Sequence, residues 1–415
     1  MTDQYRMCAH CGSHNELGAA NCAQCGQTLF SQQSEKRNIF TRRRVFLVGG
    51  ACLAGLGIGA GVTFFALQKI LSAQPGSQDA PTAVNGLAWS PNGKSIASYN
   101  GASHVQIWDA TGKTLQKTFA NATFTSPFGI TQLAWSPDSS LLAVGTISMN
   151  DNGPGSNPVD GSLRILNVQT GALQHSLKLP LLDGAIDATS SYVAWSPDGR
   201  YIAVGDASTS GNIGLWSTRD WSTVPLKQLP GQYAELRGLG WSPDSQKLLL
   251  TYDTTSVTTN KILGMVLVWD VPGGQVVLTK QVGVGDGDGP ALDSGKGVEL
   301  NIGGGAWSSD GALFAVGLNQ QTLIFNSAGQ SRFQHGTFTN YGTAPVFAWS
   351  PTSAQRLAGQ FAPDPAIYVW NPATNQVIQK YTQAAITTGT PFCWSPDGKS
   401  IASTDGNVVQ VWPVE

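Results

Sequence analysis

Along residues 86–415, apolar and polar positions alternate in short runs divided by turn residues, the pattern of half-buried strands. In Leu87-Ala88-Trp89 an apolar run meets Ser90-Pro91-Asn92-Gly93. Pro presets φ at the second turn position, Asn tolerates the third, and Gly takes the strained fourth. Ile96-Ala97 opens a second strand, Val105-Gln106-Ile107-Trp108-Asp109 alternates as a third, and Leu115-Gln116-Lys117-Thr118-Phe119 supplies a fourth, outer one. The cassette returns six more times, its Trp89 recurring as Trp135, Trp195, Trp241, Trp307, Trp349 and Trp394. Successive gaps are 46, 60, 46, 66, 42 and 45 residues. A period of about 40–50 residues marks a propeller or a solenoid. One four-stranded sheet cannot bury both faces alone, so neighbours stack, and closing the ring removes the open ends.

Third strands ending Ile107-Trp108-Asp109, Leu215-Trp216-Ser217, Val268-Trp269-Asp270, Val369-Trp370-Asn371 and Val411-Trp412-Pro413, together with the Trp-Ser-Pro-Asp-Gly turn, resemble the WD-repeat family of β-propellers over residues 82–415. The resemblance implies an all-β, seven-bladed WD40-like propeller that binds other proteins. The copies depart from the family pattern. None has its Gly-His dipeptide, only two end in Trp-Asp, and Leu166 and Phe325 replace the third-strand Trp in the second and fifth. These departures bear on the family's buried His–Asp network and leave the architecture intact. In the family the N-terminus supplies the outer strand of the last blade. Here the segment in that position, residues 76–84, contains Pro81, which cannot donate a ladder hydrogen bond. A ragged or three-stranded last blade is expected.

Before the repeats the chain changes character. Cys8-Ala9-His10-Cys11-Gly12 and Cys22-Ala23-Gln24-Cys25-Gly26 are paired knuckles whose thiolates at Cys8, Cys11, Cys22 and Cys25 can close a tetrahedral Zn²⁺ site. Residues 1–30 resemble the short zinc ribbons at the N-termini of many bacterial membrane proteins. With four ligands filled, the expected zinc is structural. Residues 31–44 form a basic linker ending in Arg42-Arg43-Arg44. Val45 to Leu67 follows without a charge, and its 23 residues make about 34 Å of helix, enough to cross a bilayer. Basic residues cluster before this span and only Lys69 follows it closely, so the positive-inside rule places the ribbon in the cytoplasm and the propeller outside. The expected location is the cell membrane, single-pass, with a linker over residues 68–85 and the propeller over 86–415. Arg43-Arg44-Val45-Phe46-Leu47 resembles a twin-arginine export signal, and the export route, Sec or twin-arginine, stays open. Gly57 and Gly61 form a GxxxG step through which two spans can pack as a homodimer.

Composition narrows the partners. Only 12% of residues are charged and Gly numbers 49, which suits tight turns and a large core rather than disorder. Residues 70–415 hold 17 Lys/Arg and 23 Asp/Glu, a balance of 17 − 23 = −6. An acidic body does not favour nucleic acid, because phosphate binding needs a basic footprint.

Strand direction places the turns between strands one and two, and three and four, on one face, and the remaining connections on the other. The predicted insertions all fall on the second face: Thr146 to Gly161, Lys178 to Ser191, Asp253 to Lys261, Val282 to Gly304 and Gly336 to Ala344. Per-repeat insertions on one face often mark the binding face. The richest holds Asp286, Asp288, Asp293 and Glu299 among glycines, a weak Ca²⁺ pattern that reads more readily as a solvated loop. Asp183 and Asp187 with Asp286 or Asp288 could pair as acid and base on that face, and no motif selects them. His104, His175 and His335 are scattered over different repeats. No catalytic residue and no enzyme activity is therefore expected. The reading is a membrane-anchored, non-catalytic propeller that binds a protein or ligand. The alternatives are a propeller-scaffold hydrolase of glycosidase or peptidase type, and a transmembrane signalling or scaffold protein linking ribbon to propeller.

Overall fold

The computed structural model describes residues 5–7, 14–16, 84–100, 104–119, 129–147, 162–178, 192–205, 213–224, 232–256, 258–286, 300–336, 346–361, 364–382, 391–404 and 408–414. The chain divides into two units, Met1–Phe46 and Leu47–Glu415. In the first, Tyr5–Met7 pairs antiparallel with His14–Glu16. The cysteines Cys8, Cys11, Cys22 and Cys25 lie outside the described residues, as do residues 45–67. Among the described residues, no helix is long and apolar enough to cross a membrane.

The second unit is a seven-bladed β-propeller. Its described strands make seven antiparallel sheets, six of four strands and one of three, each in chain order. The first strands of the blades are Val84–Trp89, Gly129–Trp135, Tyr192–Trp195, Gln232–Trp241, Ile302–Trp307, Val346–Ser350 and Phe392–Trp394. Each touches the first strands of the blades before and after it, and Phe392–Trp394 touches Val84–Trp89, so the ring is closed at its centre. The fourth strands lie outermost and exposed, as in Leu115–Phe119 and Gln376–Tyr381.

The repeated tryptophans hold the joints. In five blades the indole Nε1 donates to the carbonyl of the alanine just before the preceding blade's own Trp. The pairs are Trp135 to Ala88 at 2.9 Å, Trp195 to Ala134 at 3.1 Å, Trp241 to Ala194 at 3.1 Å, Trp349 to Ala306 at 3.1 Å and Trp394 to Ala348 at 2.9 Å. A buried N–H and a buried C=O thus satisfy one another across every one of these joints. The bond is missing in the two blades that follow a non-alanine. Trp307 follows the blade with Gly240 and Trp89 the blade with Cys393, and both indole Nε1 atoms are buried without an acceptor. At the Gly240 joint the inner strands crowd together: a Cβ on Gly238 would stand 2.5 Å from Gly304 Cα, so only glycine permits this approach.

The Trp-Ser-Pro-Asp-Gly turn is a small polar network. The Ser hydroxyl donates to the Asx side chain two residues on in six blades: Ser90 to Asn92, Ser136 to Asp138, Ser196 to Asp198, Ser242 to Asp244, Ser308 to Asp310 and Ser395 to Asp397, at 2.5–2.9 Å. Gly93, Gly199, Gly311 and Gly398 hold φ of 68–74° at the fourth position. Ser139 and Ser245 hold the same left-handed position at 62° and 60°, and their hydroxyls accept the N–H of Asn92 and Asp198 in the preceding blade, both at 3.0 Å. The bond between blades offsets the backbone strain.

On the outside, four of the fourth strands lean on the next blade's third strand or on the turn that follows it. Lys117 donates to the Gln169 carbonyl at 2.6 Å, His175 stacks on Trp221 at 4.1 Å, His335 stacks on Trp370 at 4.8 Å, and the Tyr381 hydroxyl donates to the Pro413 carbonyl at 2.6 Å. The last blade shows three strands among the described residues, Phe392–Trp394, Ser400–Thr404 and Val409–Pro413; residues 76–83, which bear on the expected raggedness, lie outside them.

The third-strand tryptophans show what the degenerate repeats kept. Trp108 and Trp412 donate to Ser98 and Ser403 on the second strand, both at 2.8 Å. Leu250 occupies the matching second-strand position in the fourth blade, where the Trp269 Nε1 is buried without an acceptor among the described residues, and Gly359 occupies it in the sixth, directly against the Trp370 ring. Leu166 and Phe325 fill the indole's place with buried hydrocarbon. Ser98→Ala is expected to lower stability by about 1–3 kcal/mol, because it leaves the Trp108 N–H buried and unpaired. Urea unfolding of the variant beside the wild type measures the loss.

Candidate interaction face

The two faces of the ring are built differently. The turn face is nearly uniform, with a short Ser–Asx network in six of its seven blades. The opposite face is uneven. In the fifth blade strands two and three are joined by the two residues Asn319 and Gln320, both at positive φ, 40° and 67°. The fourth blade stands longest. Its strands Gln232–Trp241, Lys247–Thr255, Ile262–Asp270 and Gln275–Gly285 have 10, 9, 9 and 11 residues.

This corrects two predicted insertions. Asp253 to Lys261 is not a loop, because the ladder continues through Thr255↔Ile262 and closes in a tight turn where Asn260 N–H donates to the Ser256 carbonyl. Val282 to Gly285 likewise belongs to the fourth strand, and Ile302 to Gly304 to the next blade. The alternation carries on past the point where the repeat length led us to expect a loop.

A buried ionic group braces the base of this extension. Arg237, on the first strand, donates to Asp253 Oδ2 through Nε at 2.9 Å and Nη2 at 2.7 Å, and to Glu235 Oε2 at 2.5 Å. Their side chains are only 12%, 13% and 17% exposed, so solvent screens the group little. Burial works against the charged guanidinium, but Asp253 and Glu235 outweigh it and hold Arg237 above its ordinary range. The neighbouring Tyr192 phenol is pushed up by burial, and Tyr252, whose buried hydroxyl has no partner among the described residues, is pushed up to about 12. At the tip, Lys261 pairs with Asp286 at 3.5 Å.

The predicted candidates divide accordingly. Asp286 is an ion-pair partner of Lys261. Asp183, Asp187, Asp288, Asp293 and Glu299 lie outside the described residues. His175 and His335 are brought to blade joints rather than to a common site, each stacked on a Trp. Among the described residues, no group of three His, Cys, Asp or Glu is placed to hold a metal ion. The Glu235–Arg237–Asp253 group was missed in the sequence. Its only signal is charge inside strands that otherwise alternate.

The family model "WD domain, G-beta repeat" matches residues 69–109, 115–165 and 186–217. The chain is 28% identical over 261 residues to WD repeat-containing protein slp1 of Schizosaccharomyces pombe, covering 60% of this chain and 47% of that protein. It is 29% identical over 215 residues to WD repeat and HMG-box DNA-binding protein 1 of Mus musculus, covering 48% and 17%. It is 23% identical over 271 residues to Cell division cycle 20.1, cofactor of APC complex, of Arabidopsis thaliana, covering 59% and 52%. The chain thus spans about half or less of these relatives' lengths. Among solved structures it is similar to Kuenenia stuttgartiensis hydrazine synthase, with TM-score 0.60, 16% identity and 83% of this chain against 99% of that one. A chain of the mitotic checkpoint complex gives TM-score 0.57 at 18% identity, covering 83% and 95%. At these identities the likeness to solved structures shows the fold alone.

The turn face carries an acid sensitivity. The Ser395 hydroxyl, then the Lys399 N–H, hold Asp397 below the usual carboxylate value against a burial that raises it. At Asp138 burial is the largest influence and raises the pKa, yet bonds from Ser136 and Ser140 outweigh it and the net shift is downward. A carboxylate depressed in the fold stabilises it fully above the unfolded value, 3.8 for these groups, and loses that contribution as pH falls through the folded value. The thermal midpoint is expected to hold down to about pH 5 and drop below about pH 4. The double variant Asp138→Asn, Asp397→Asn should show a shallower acid drop, since Asn92 makes the same turn bonds without titrating.

Proposed function

We propose that this chain, a seven-bladed β-propeller of WD40 repeats, is a non-catalytic interaction module that binds a protein partner on the face where the fourth blade projects. The carrying observation is the asymmetry between the faces. The turn face repeats nearly the same short turn round the ring, whereas the opposite face has one blade extended as continuous four-stranded sheet with the Arg237 ion-pair group at its base. Rigid elements hold a binding constellation more accurately than loops do. Relatives named as WD repeat proteins, one of them a cofactor of a complex, support action through binding rather than turnover.

The fuller proposal places this module at a membrane. Residues 45–67 anchor it as a single span, with the ribbon in the cytoplasm and the propeller outside, and Gly57 and Gly61 allow the spans to pair. Cys8, Cys11, Cys22 and Cys25 hold a structural Zn²⁺. The pairing of Tyr5–Met7 with His14–Glu16 supports this, because it makes residues 8–13, with the first two cysteines, the connection of a hairpin. The chemistry the metal supplies is cross-linking of four thiolates in a segment too small for its own core.

External protease applied to intact cells should remove residues 82–415 and spare the ribbon. Protection until the cells are opened, with no wall or outer membrane to explain it, contradicts the topology. The exposed tip residue Thr259 tests the face. Thr259→Arg in the full chain is expected to weaken capture of the physiological partner by about tenfold or more. Undiminished capture, or turnover of a substrate by the purified chain, overturns the reading.

A further inference from the structure

The seven joints between blades differ in what crosses them. Six are crossed by the chain itself, which runs from the outer strand of one blade into the inner strand of the next. Blades 7 and 1 are the ends of the series, and no connection spans their joint. At each of the other six joints at least one side-chain hydrogen bond links the two blades. Among the described residues, none links blade 7 to blade 1. Joint 4/5 also lacks the indole bond, but there the Thr251 hydroxyl donates to the Gly303 carbonyl at 2.7 Å, and Lys280 lies 5.3 Å over the Phe325 ring.

On the turn face, the hydroxyls of Ser139 and Ser245 clasp joints 1/2 and 3/4, each accepting an N–H of the preceding blade at 3.0 Å. At joints 2/3 and 4/5, Pro137 and Pro243 lie 3.7 and 3.6 Å from where a Cβ on Gly199 and Gly311 would stand. The matching residue of joint 7/1 is Gly93, whose Cβ would meet no atom within 4 Å. What holds this joint is apolar. Leu87, Trp89 and Trp108 of blade 1 pack with Cys393, Ala402 and Val409 of blade 7 in a cluster separate from the main core, and Gly112 abuts the Val409 backbone. Such packing parts without breaking a hydrogen-bonded pair. Parting also relieves a cost, because the Trp89 N–H, buried and unpaired when the joint is shut, then meets water.

We propose that the ring opens reversibly at joint 7/1 while the other six joints stay shut, a local opening well short of global unfolding. Blades 7 and 1 part along the contact between Cys393 and Trp89. The seam is a conformational device of the ring and does not depend on which face binds a partner. Cys393 reports on it directly, since its thiol is fully buried in the closed joint and reaches solvent when the joint parts.

The test is the rate at which iodoacetamide alkylates Cys393 in the native full chain, read by mass spectrometry on the peptide that holds it, apart from the other five cysteines. The reference is the double variant Ala348→Cys, Cys393→Ala. It sets the same thiol at the matching place of joint 6/7, where the Trp394 indole donates to the Ala348 carbonyl at 2.9 Å. Cys393 is expected to react about tenfold faster or more than the thiol of that variant, at a rate nearly flat in low urea. Gly93→Ser places a hydroxyl in the seam, at a backbone angle that Ser139 and Ser245 already hold, and should slow the reaction of Cys393 by about fivefold. Equal rates at the two joints overturn the proposal, as does an unchanged rate in Gly93→Ser. If the double variant fails to fold, the urea series decides: a rate that climbs with the full slope of global unfolding means that the seam does not open by itself.

Discussion

One buried hydrogen bond, from an indole N–H to an alanine carbonyl one blade back, sets the spacing of this ring. A propeller blade is held to its neighbours mostly by non-directional apolar packing, which fixes neither distance nor register. The Trp–Ala bond adds direction. At five of the seven joints it couples the inner strand of one blade to the same point on the next, and it accounts for an Ala-Trp dipeptide rather than any apolar pair. The alanine is fully buried, and its methyl leaves the carbonyl within reach of the indole. Where the residue is Gly240 the inner strands close further and the bond is lost. Where it is Cys393, a larger buried side chain stands in the joint and the bond is lost, although the inner strands still touch. Asymmetry at two of seven joints therefore traces to two substitutions.

Much of this was legible in the sequence because the repeat carries it. The Trp spacing gave the number of blades, and the Ser-Pro-Asx-Gly run gave the turn face. What stayed hidden depends on contacts between repeats. Nothing in the run around Asp253 distinguishes a loop from strands that keep pairing, since Thr and Asp suit either; only the match with Ile262–Asp270 decides it. The roles of His175 and His335 were equally invisible, because each is defined by an aromatic ring more than thirty residues away. The Arg237 group is composed of three charges that a linear reading assigns to solvent.

The same logic separates the two faces in function. Turn chemistry that must recur in every blade has little freedom to vary, so the turn face is nearly the same all round the ring. The other face bears no such burden, and there the fourth blade has grown. The buried Arg237 with its two carboxylates costs desolvation that a hydrocarbon cluster would avoid. Arg237 is the extra residue of a bulge between Leu236 and Gly238, and its bonds to Asp253 tie that bulge to the partner strand. The turn face breaks its rule in the sixth blade, where Thr352 stands in place of the Asx and faces Ser350 at 3.4 Å.

The most direct test of the Trp–Ala account replaces an indole that has its acceptor and one that does not. Trp195→Phe and Trp307→Phe each keep an aromatic ring in a buried inner-strand position, and only the first removes a hydrogen bond between blades. Unfolding in urea should show Trp195→Phe less stable than Trp307→Phe by about 1–2 kcal/mol, the difference between stranding a buried carbonyl and relieving a buried, unpaired N–H. Equal losses in the two variants would mean that packing alone holds the joints and that the hydrogen bond is incidental.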